Sequence, residues 1–389
     1  MPDRVVLLTI PGLVSGDLGQ MPNLRSKLAG GDHATLAPTC PCTAGPVRAN
    51  MATGATCAQH GLVADRLYLR ERREVDASPQ WSDFLQAPTV WQILHQHQPE
   101  TSSAVCFVPE SHACGARVTC NLPYVRGALL THPSSLASEL SWPAVPAQSN
   151  EPLWTAKVIS ALVAYEPFDF LWCEFSHVAT AGEFDGPGSA QVAETARAVD
   201  AALGRLFSAI DDSYDSAPLW LVVSPYTISP TNHVLYPNRL LLEAGLLHVD
   251  SRAAGNPDVR TSRAWALTDR QISHVYVTEP EPAILSDLVQ VFSGQQGVAE
   301  VLVGEQRSKY DLVHERAGEV IVISTPDSWQ AEGSRPGAGP PPSVRGSHGA
   351  PAREDRQRGV IFSSERGVLA GRLLLDTDVC DLVLRQFGI

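Results

Sequence analysis

The sequence predicts an α/β protein, a three-layer α/β/α sandwich with a mostly parallel central sheet and an inserted cap region. Two observations carry the prediction. The runs RVVLLTI (4–10), FDFLWCEF (168–175) and PLWLVVS (218–224) are short, apolar and poor in charge, as strands of a sheet covered on both faces must be. Between the last two, QVAETARAVDAALGRLFSAI (191–210) places Val192, Ala196, Val199, Leu203, Leu206 and Ile210 on one helical face.

Each element follows in order. The opening run follows Asp3 and Arg4 and lacks a small-residue cleavage pattern, so it reads as a buried first strand and not as a signal peptide. Residues 76–150, rich in Pro, Ser, His and Trp with weak periodicity, are expected to form the cap, leaving 1–75 and 151–389 as the core. Loop 176–190 falls at the carboxyl end of a strand, where open α/β sheets bind ligands. Further on, AWALTDRQISHVYV (264–277) is strand-like, PAILSDLVQVFSG (282–294) helical and GEVIVIS (318–324) a strand. Residues 332–359 form a long Gly/Pro/Arg loop within the core, a length that is usually functional. No repeat is visible.

Composition narrows the function classes. At 389 residues, with 44% hydrophobic and 18% charged residues, the chain is globular. A net charge of −13 argues against nucleic acid, whose binding needs a basic stripe to release counterions. It leaves room for a small anionic ligand on a local Arg cluster. No apolar run approaches the ~20 residues of a membrane span. The eight cysteines are scattered, without zinc-ribbon pairs. Together these place the chain in the cytoplasm, with a small-molecule partner and neither membrane nor nucleic acid.

Seven stretches, in order, carry a resemblance: VVLLTIPGL, LAPTCPCTAGPVRANMATGATCAQHGLVADRLY, FSHVATAGEFDGPGS, VVSPYTISPTNHVLYPNRLLLEAGLL, SRAWALTDRQISHVYV, LVHERAGEVIVIS and VRGSHG. Together they resemble the alkaline phosphatase superfamily, in its nucleotide pyrophosphatase/phosphodiesterase-like branch. The resemblance implies hydrolysis of phosphate esters by two metal ions and a Thr or Ser nucleophile, a chemistry that needs several carboxylate and imidazole ligands. Residue by residue, this chain departs from it. The ligand Asp after the first strand falls on Pro11, and the nucleophile falls on Ala44, aligned without gaps through Pro46, Met51, Thr53 and Gly54. The Asp-x-x-x-His pair falls on Ala179 and Glu183, and the Ser-Asp-His turn reads Ser224-Pro225-Tyr226. Only His348 stands. Neither Pro nor Ala offers a metal a side-chain donor, so two-metal hydrolysis is expected to be lost, with no metal and no cofactor required.

The stretch that ends the second apolar run and follows it offers Glu174, His177, Glu183 and Asp185. We take His348, His177, Tyr226 and Glu183 as catalytic candidates for metal-independent acid/base work, and Arg48, Arg345, Arg270 and Asn50 as substrate-binding candidates. Five of them have a plainer structural alternative: His177 as a strand-end histidine, His348 as a turn residue, Tyr226 as core, Arg48 as a solvated side chain, and Arg270 as neutralised by Asp269. His60 reads as a turn stabiliser, and a reactive Cys40 or Cys42 lacks local support. Three functions stay open. The first is a repurposed isomerase-, cyclase- or lyase-type enzyme, suited to specialised-metabolite biosynthesis. The second is an inactive binding or scaffold protein. The third is a residual phosphodiesterase with one metal at His348 and Glu183. What discriminates the first two is whether ionisable groups still converge in the old site or apolar side chains have filled it.

Overall fold

Two sheets are built from β1 (Val5–Thr9), β2 (Asp32–Ala37), β3 (Ser103–Cys106), β4 (Val118–Asn121), β5 (Leu130–His132), β6 (Phe170–Glu174), β7 (Leu219–Tyr226), β8 (Ala264–Asp269), β9 (Ile272–Val277), β10 (Val298–Val303), β11 (Val320–Ser324), β12 (Arg358–Ser363) and β13 (Leu373–Leu375). This is a computed structural model, describing residues 4–122, 129–140, 142, 145, 151–249, 257–333, 344–369 and 373–389. The central sheet has nine strands in the order β13-β2-β12-β7-β1-β6-β3-β4-β5. Its middle is parallel: β1 pairs with β6 and β7, β6 with β3, and β3 with β4. β12 runs antiparallel to both β2 and β7, and β5 antiparallel to β4.

Alternation along the central strands sorts side chains into two cores. Val5 and Leu7, Phe170 and Trp172, and Leu219, Leu221 and Val223 face one side. Val6 and Leu8, Leu171 and Cys173, and Trp220 and Val222 face the other. This is why these runs are apolar throughout. Two helices cover the second face, α2 (Pro152–Tyr165) and α4 (Ala190–Ser213), through Ile159, Leu162, Val199, Leu203 and Leu206. The long helix begins where Ser189 accepts a hydrogen bond from the amide of Val192, an N-cap that satisfies one otherwise free donor. The first face receives α1 (Ala44–Thr53) and the C-terminal helix α6 (Asp378–Gln386). Between β6 and α4 lies the short α3 (His177–Asp185).

The expected cap is corrected in position. Residues 76–150 contribute β3, β4 and β5 to the central sheet itself. Their weak periodicity has a physical reason: these strands are three or four residues long, too short for a pattern to emerge against Pro- and Ser-rich connections. Residues 123–128, 141, 143, 144 and 146–150 of that segment lie outside the described residues, as do 334–343 of the long loop. A separate layer does exist, further along the chain. Strands β8-β9-β11-β10 form a four-stranded antiparallel sheet with its own core of Trp265, Tyr276, Leu288 and Phe292 beneath α5 (Pro282–Phe292). The strand-like run 264–277 is thus a hairpin, turned at Arg270, whose φ of 58° is left-handed. Among the described residues, no helix is long and apolar enough to cross a membrane.

Candidate functional site

The carboxyl ends of β1, β6 and β7 meet the N-terminal half of α1, and ionisable side chains gather there. Thr9 and Glu174, the last residues of β1 and β6, are register partners. The Thr9 hydroxyl donates to Glu174 Oε2 at 3.1 Å and accepts from the Trp172 indole at 3.1 Å. Arg48, on the second turn of α1, closes over them. Its Nε and Nη2 donate to Glu174 at 3.0 and 2.5 Å, and Nη1 donates to both oxygens of Glu110 at 2.9 and 3.2 Å. All three side chains are nearly out of solvent. Burial opposes charge on Arg48, but Glu110 and Glu174 more than offset it and keep the guanidinium protonated. Burial also pushes the Glu110 carboxyl up, against the pull of Arg48.

A second group lies beside the first. Tyr226 ends β7, and its ring stacks on His348 with centroids 4.2 Å apart and planes at 3°. His348 Nδ1 is 3.2 Å from Glu183 Oε1, an electrostatic contact off the axis of a good hydrogen bond. Arg270 Nε donates to the same oxygen at 2.7 Å. Burial alone would raise the Glu183 pKa; His348 and then Arg270 overcome it and hold the carboxyl at about 2. Burial pushes the Tyr226 phenol well above its ordinary range, so it stays protonated. Gly349 is required next to His348: at φ 120°, its missing Cβ would meet Thr43 Cγ2 at 3.1 Å and the Gln271 amide at 3.2 Å.

A third pair joins the rim to the helix. Asp65 Oδ1 accepts from the amide of Gly45 at 2.6 Å, and the Asp65 amide donates to Asp269 Oδ2 at 2.8 Å. Burial, and then the neighbouring Asp65, raise Asp269 to about 7, so this pair of carboxyl groups holds a proton near neutrality.

The expected site residues therefore separate. The structure brings His348, Glu183, Tyr226 and Arg270 together, with the Arg345 amide donating to the Glu183 carbonyl at 2.7 Å and the Arg345 side chain exposed. His177 stands apart. It opens α3 six residues before Glu183, which turns it about 240° around the helix, and burial lowers its pKa to about 4. Arg48 is not a solvated side chain awaiting a ligand; two glutamates occupy it. Asn50 is wholly buried and bonds Thr39, Asp376 and the His60 ring, the last at 2.6 Å. His60 is the turn stabiliser expected, its Nδ1 accepting from the amide of Leu62. Glu110 and Asp65 were not singled out from the sequence. Glu110 lay in the presumed cap, and Asp65 carries no local signal.

The donor set does not fit two metals. Pro11, Ala44, Ala179 and Pro225 offer no side-chain donor, and no group of three or more His, Cys, Asp or Glu placed for a metal occurs among the described residues. Between two of the elements that would flank a metal there is little room. A Cβ on Gly12 would lie 2.8 Å from Ala179 Cα, so the turn after β1 and helix α3, whose side chains would flank a metal, are in backbone contact.

Fold and site define the class: this is a member of the alkaline phosphatase superfamily whose catalytic turn has lost its nucleophile. Residues 5–351 match the type I phosphodiesterase / nucleotide pyrophosphatase family, and the chain belongs to it. Among solved structures it is similar to phosphonoacetate hydrolase from Sinorhizobium meliloti 1021 in complex with phosphonoacetate (16% identity, TM-score 0.72, covering 98% of this chain and 96% of that one). It is also similar to murine ectonucleotide pyrophosphatase / phosphodiesterase 5 (13% identity, TM-score 0.70, covering 99% and 95%). At these identities the likeness shows the fold alone. No curated protein is similar enough to match the chain.

Proposed function

We propose that this protein is a metal-independent enzyme that performs acid/base chemistry, of the isomerase, cyclase or lyase kind, on a small molecule. The observation that carries the reading is the Glu183–His348 pair beneath Tyr226. The Glu183 carboxylate lies 3.2 Å from Nδ1 and would stabilise the imidazolium formed when Nε2 takes a proton from a bound molecule. The protonated phenol of Tyr226 is a neutral donor beside it. Arg270 and Glu183, whose side chains are 39% and 17% exposed, form the approach. A decayed site is expected to fill with apolar side chains, because replacing a buried ion pair by packed hydrocarbon is often neutral or stabilising. Here the ionisable groups persist. The described cysteines are all unpaired and buried, which favours a reducing compartment, and we place the protein in the cytoplasm, in a biosynthetic role.

A second reading, an inactive binding protein, draws support from Arg48 and the α1 N-terminus, both of which are taken by the protein's own carboxylates. One experiment separates the readings. The purified protein, with and without added zinc, is assayed for bound metal by elemental mass spectrometry and for turnover of bis(4-nitrophenyl) phosphate. It is then incubated with a metabolite extract, beside the His348→Gln variant. We expect substoichiometric metal, no phosphodiester turnover, and wild-type-only conversion of one mass feature into an isomeric or dehydrated one. Close to two metals with turnover defeats the proposal, and binding without conversion favours the second reading.

A further inference from the structure

Charge is the property of this site least suited to a phosphoester. Around the Tyr226 phenol lie Glu174, Glu183 and Asp65, with Arg48. Asp269 adjoins Asp65, and Glu110 adjoins Arg48. Against these five carboxylates stand two guanidinium groups, Arg48 and Arg270. Arg66 is taken by Glu332 at 2.8 Å and by the Thr268 carbonyl at 2.6 Å. Arg345 adds one exposed cation at the rim. Even with a proton on Asp269, negative charge is in excess. The N-terminus of α1, where free amides and the helix dipole would welcome an anion, is already capped by the Asp65 carboxylate.

A second, independent observation concerns hydrogen bonding. His348 is 4% exposed, yet neither of its ring nitrogens has a hydrogen-bond partner among the described residues. Whichever ring nitrogen carries no proton is an acceptor in want of a donor. Thr43, fully buried at the head of α1, has an equally unpartnered hydroxyl, and Gly349 packs against it. Buried polar atoms left unpaired are costly, and a ligand bearing N–H groups would relieve that cost.

We propose that the site binds a small organic cation carrying N–H donors, a primary amine or a guanidine, held by Glu183, Asp65 and the free Nε2 of His348. Charge-assisted hydrogen bonds of this kind are the strong ones, and a phosphate dianion would meet repulsion from the same groups. This names the substrate class of the acid/base site and rests on that reading.

The test follows the His348 ring proton by NMR, assigned through its absence in His348→Gln. The full-length protein is titrated with 1,4-diaminobutane, methylguanidinium chloride and inorganic phosphate at constant ionic strength. The two cations should shift the resonance saturably and phosphate should not. Glu183→Gln should weaken cation binding about tenfold. Asp65→Asn, which keeps an oxygen for the Gly45 amide, should weaken it similarly and serves if the first variant fails to fold. Phosphate acting in place of the cations, or no probe acting at all, overturns the assignment. Cation binding without conversion of any molecule upholds it while defeating the acid/base reading. Conversion of an anionic substrate defeats it and upholds that reading.

Discussion

Arg48 is the residue that holds the two buried glutamates of the site in place. Its guanidinium is the cation between Glu174 and Glu110, in a place where neither glutamate can reach water freely. Removing one member of a buried ion pair leaves the others charged and unsolvated, a loss of about 3–5 kcal/mol. Arg48→Ala should therefore lower the unfolding free energy by that amount, read as a lower urea midpoint with the slope unchanged. Pairing it with Glu174→Gln should recover part of the loss, because the uncompensated charge goes with it. If Arg48→Ala costs no more than an exposed Arg–Glu pair, the buried network contributes little to stability. The residue type was visible in the sequence, but its partners, 62 and 126 positions away, were not.

At the scale of elements, a turn and a helix meet closely beside the site. Gly12, at φ 81°, lets the turn after β1 touch Ala179 on α3, while its amide donates to the Tyr226 carbonyl at 3.0 Å. Gly12→Ala combines a left-handed backbone penalty of about 1–2 kcal/mol with a Cβ forced into another backbone. We expect a loss of about 2–4 kcal/mol in denaturant melts. Conversely, Ala44→Thr should fold and still fail to hydrolyse bis(4-nitrophenyl) phosphate with zinc, since a hydroxyl alone restores no ligand. Turnover by that single variant would show that the remaining ligands are intact. The strands with long apolar runs and the 24-residue helix were legible in sequence. The short β3, β4 and β5 were not, because strands this brief cannot display a period of two.

Across the whole molecule, one buried network ties the two ends of the chain together. Asp376, before the C-terminal helix, accepts from the Thr39 amide at 3.1 Å and from the Asn50 side chain at 2.8 Å, and Asn50 in turn holds His60. Burial raises the Asp376 pKa to about 6, with the hydrogen bonds pulling the other way. The folded state thus binds this proton more tightly than the unfolded chain, whose ordinary value is 3.8. The stabilisation from the protonated form is full below about pH 4 and is lost as pH rises through 6. Its size is on the order of 3 kcal/mol, at about 1.4 kcal/mol per pKa unit. Asp376→Asn, neutral at every pH, should flatten this part of the stability profile between pH 4 and 6. An unchanged profile would mean that Asp376 does not titrate there.

The sequence by itself determined the layered α/β fold, the family, and the absence of a nucleophile and most metal ligands, because each is written in contiguous residues: apolar runs, a helical face, and a turn whose members keep their spacing. Only the tertiary structure decided which side chains meet at the site. Glu110 meeting Arg48, Glu183 meeting His348 and Arg270, and Asp65 capping α1 are encounters between residues 20 to 165 positions apart. Charge and burial at such a meeting point depend on which strand ends and loops converge there, and no local pattern along the chain records that convergence.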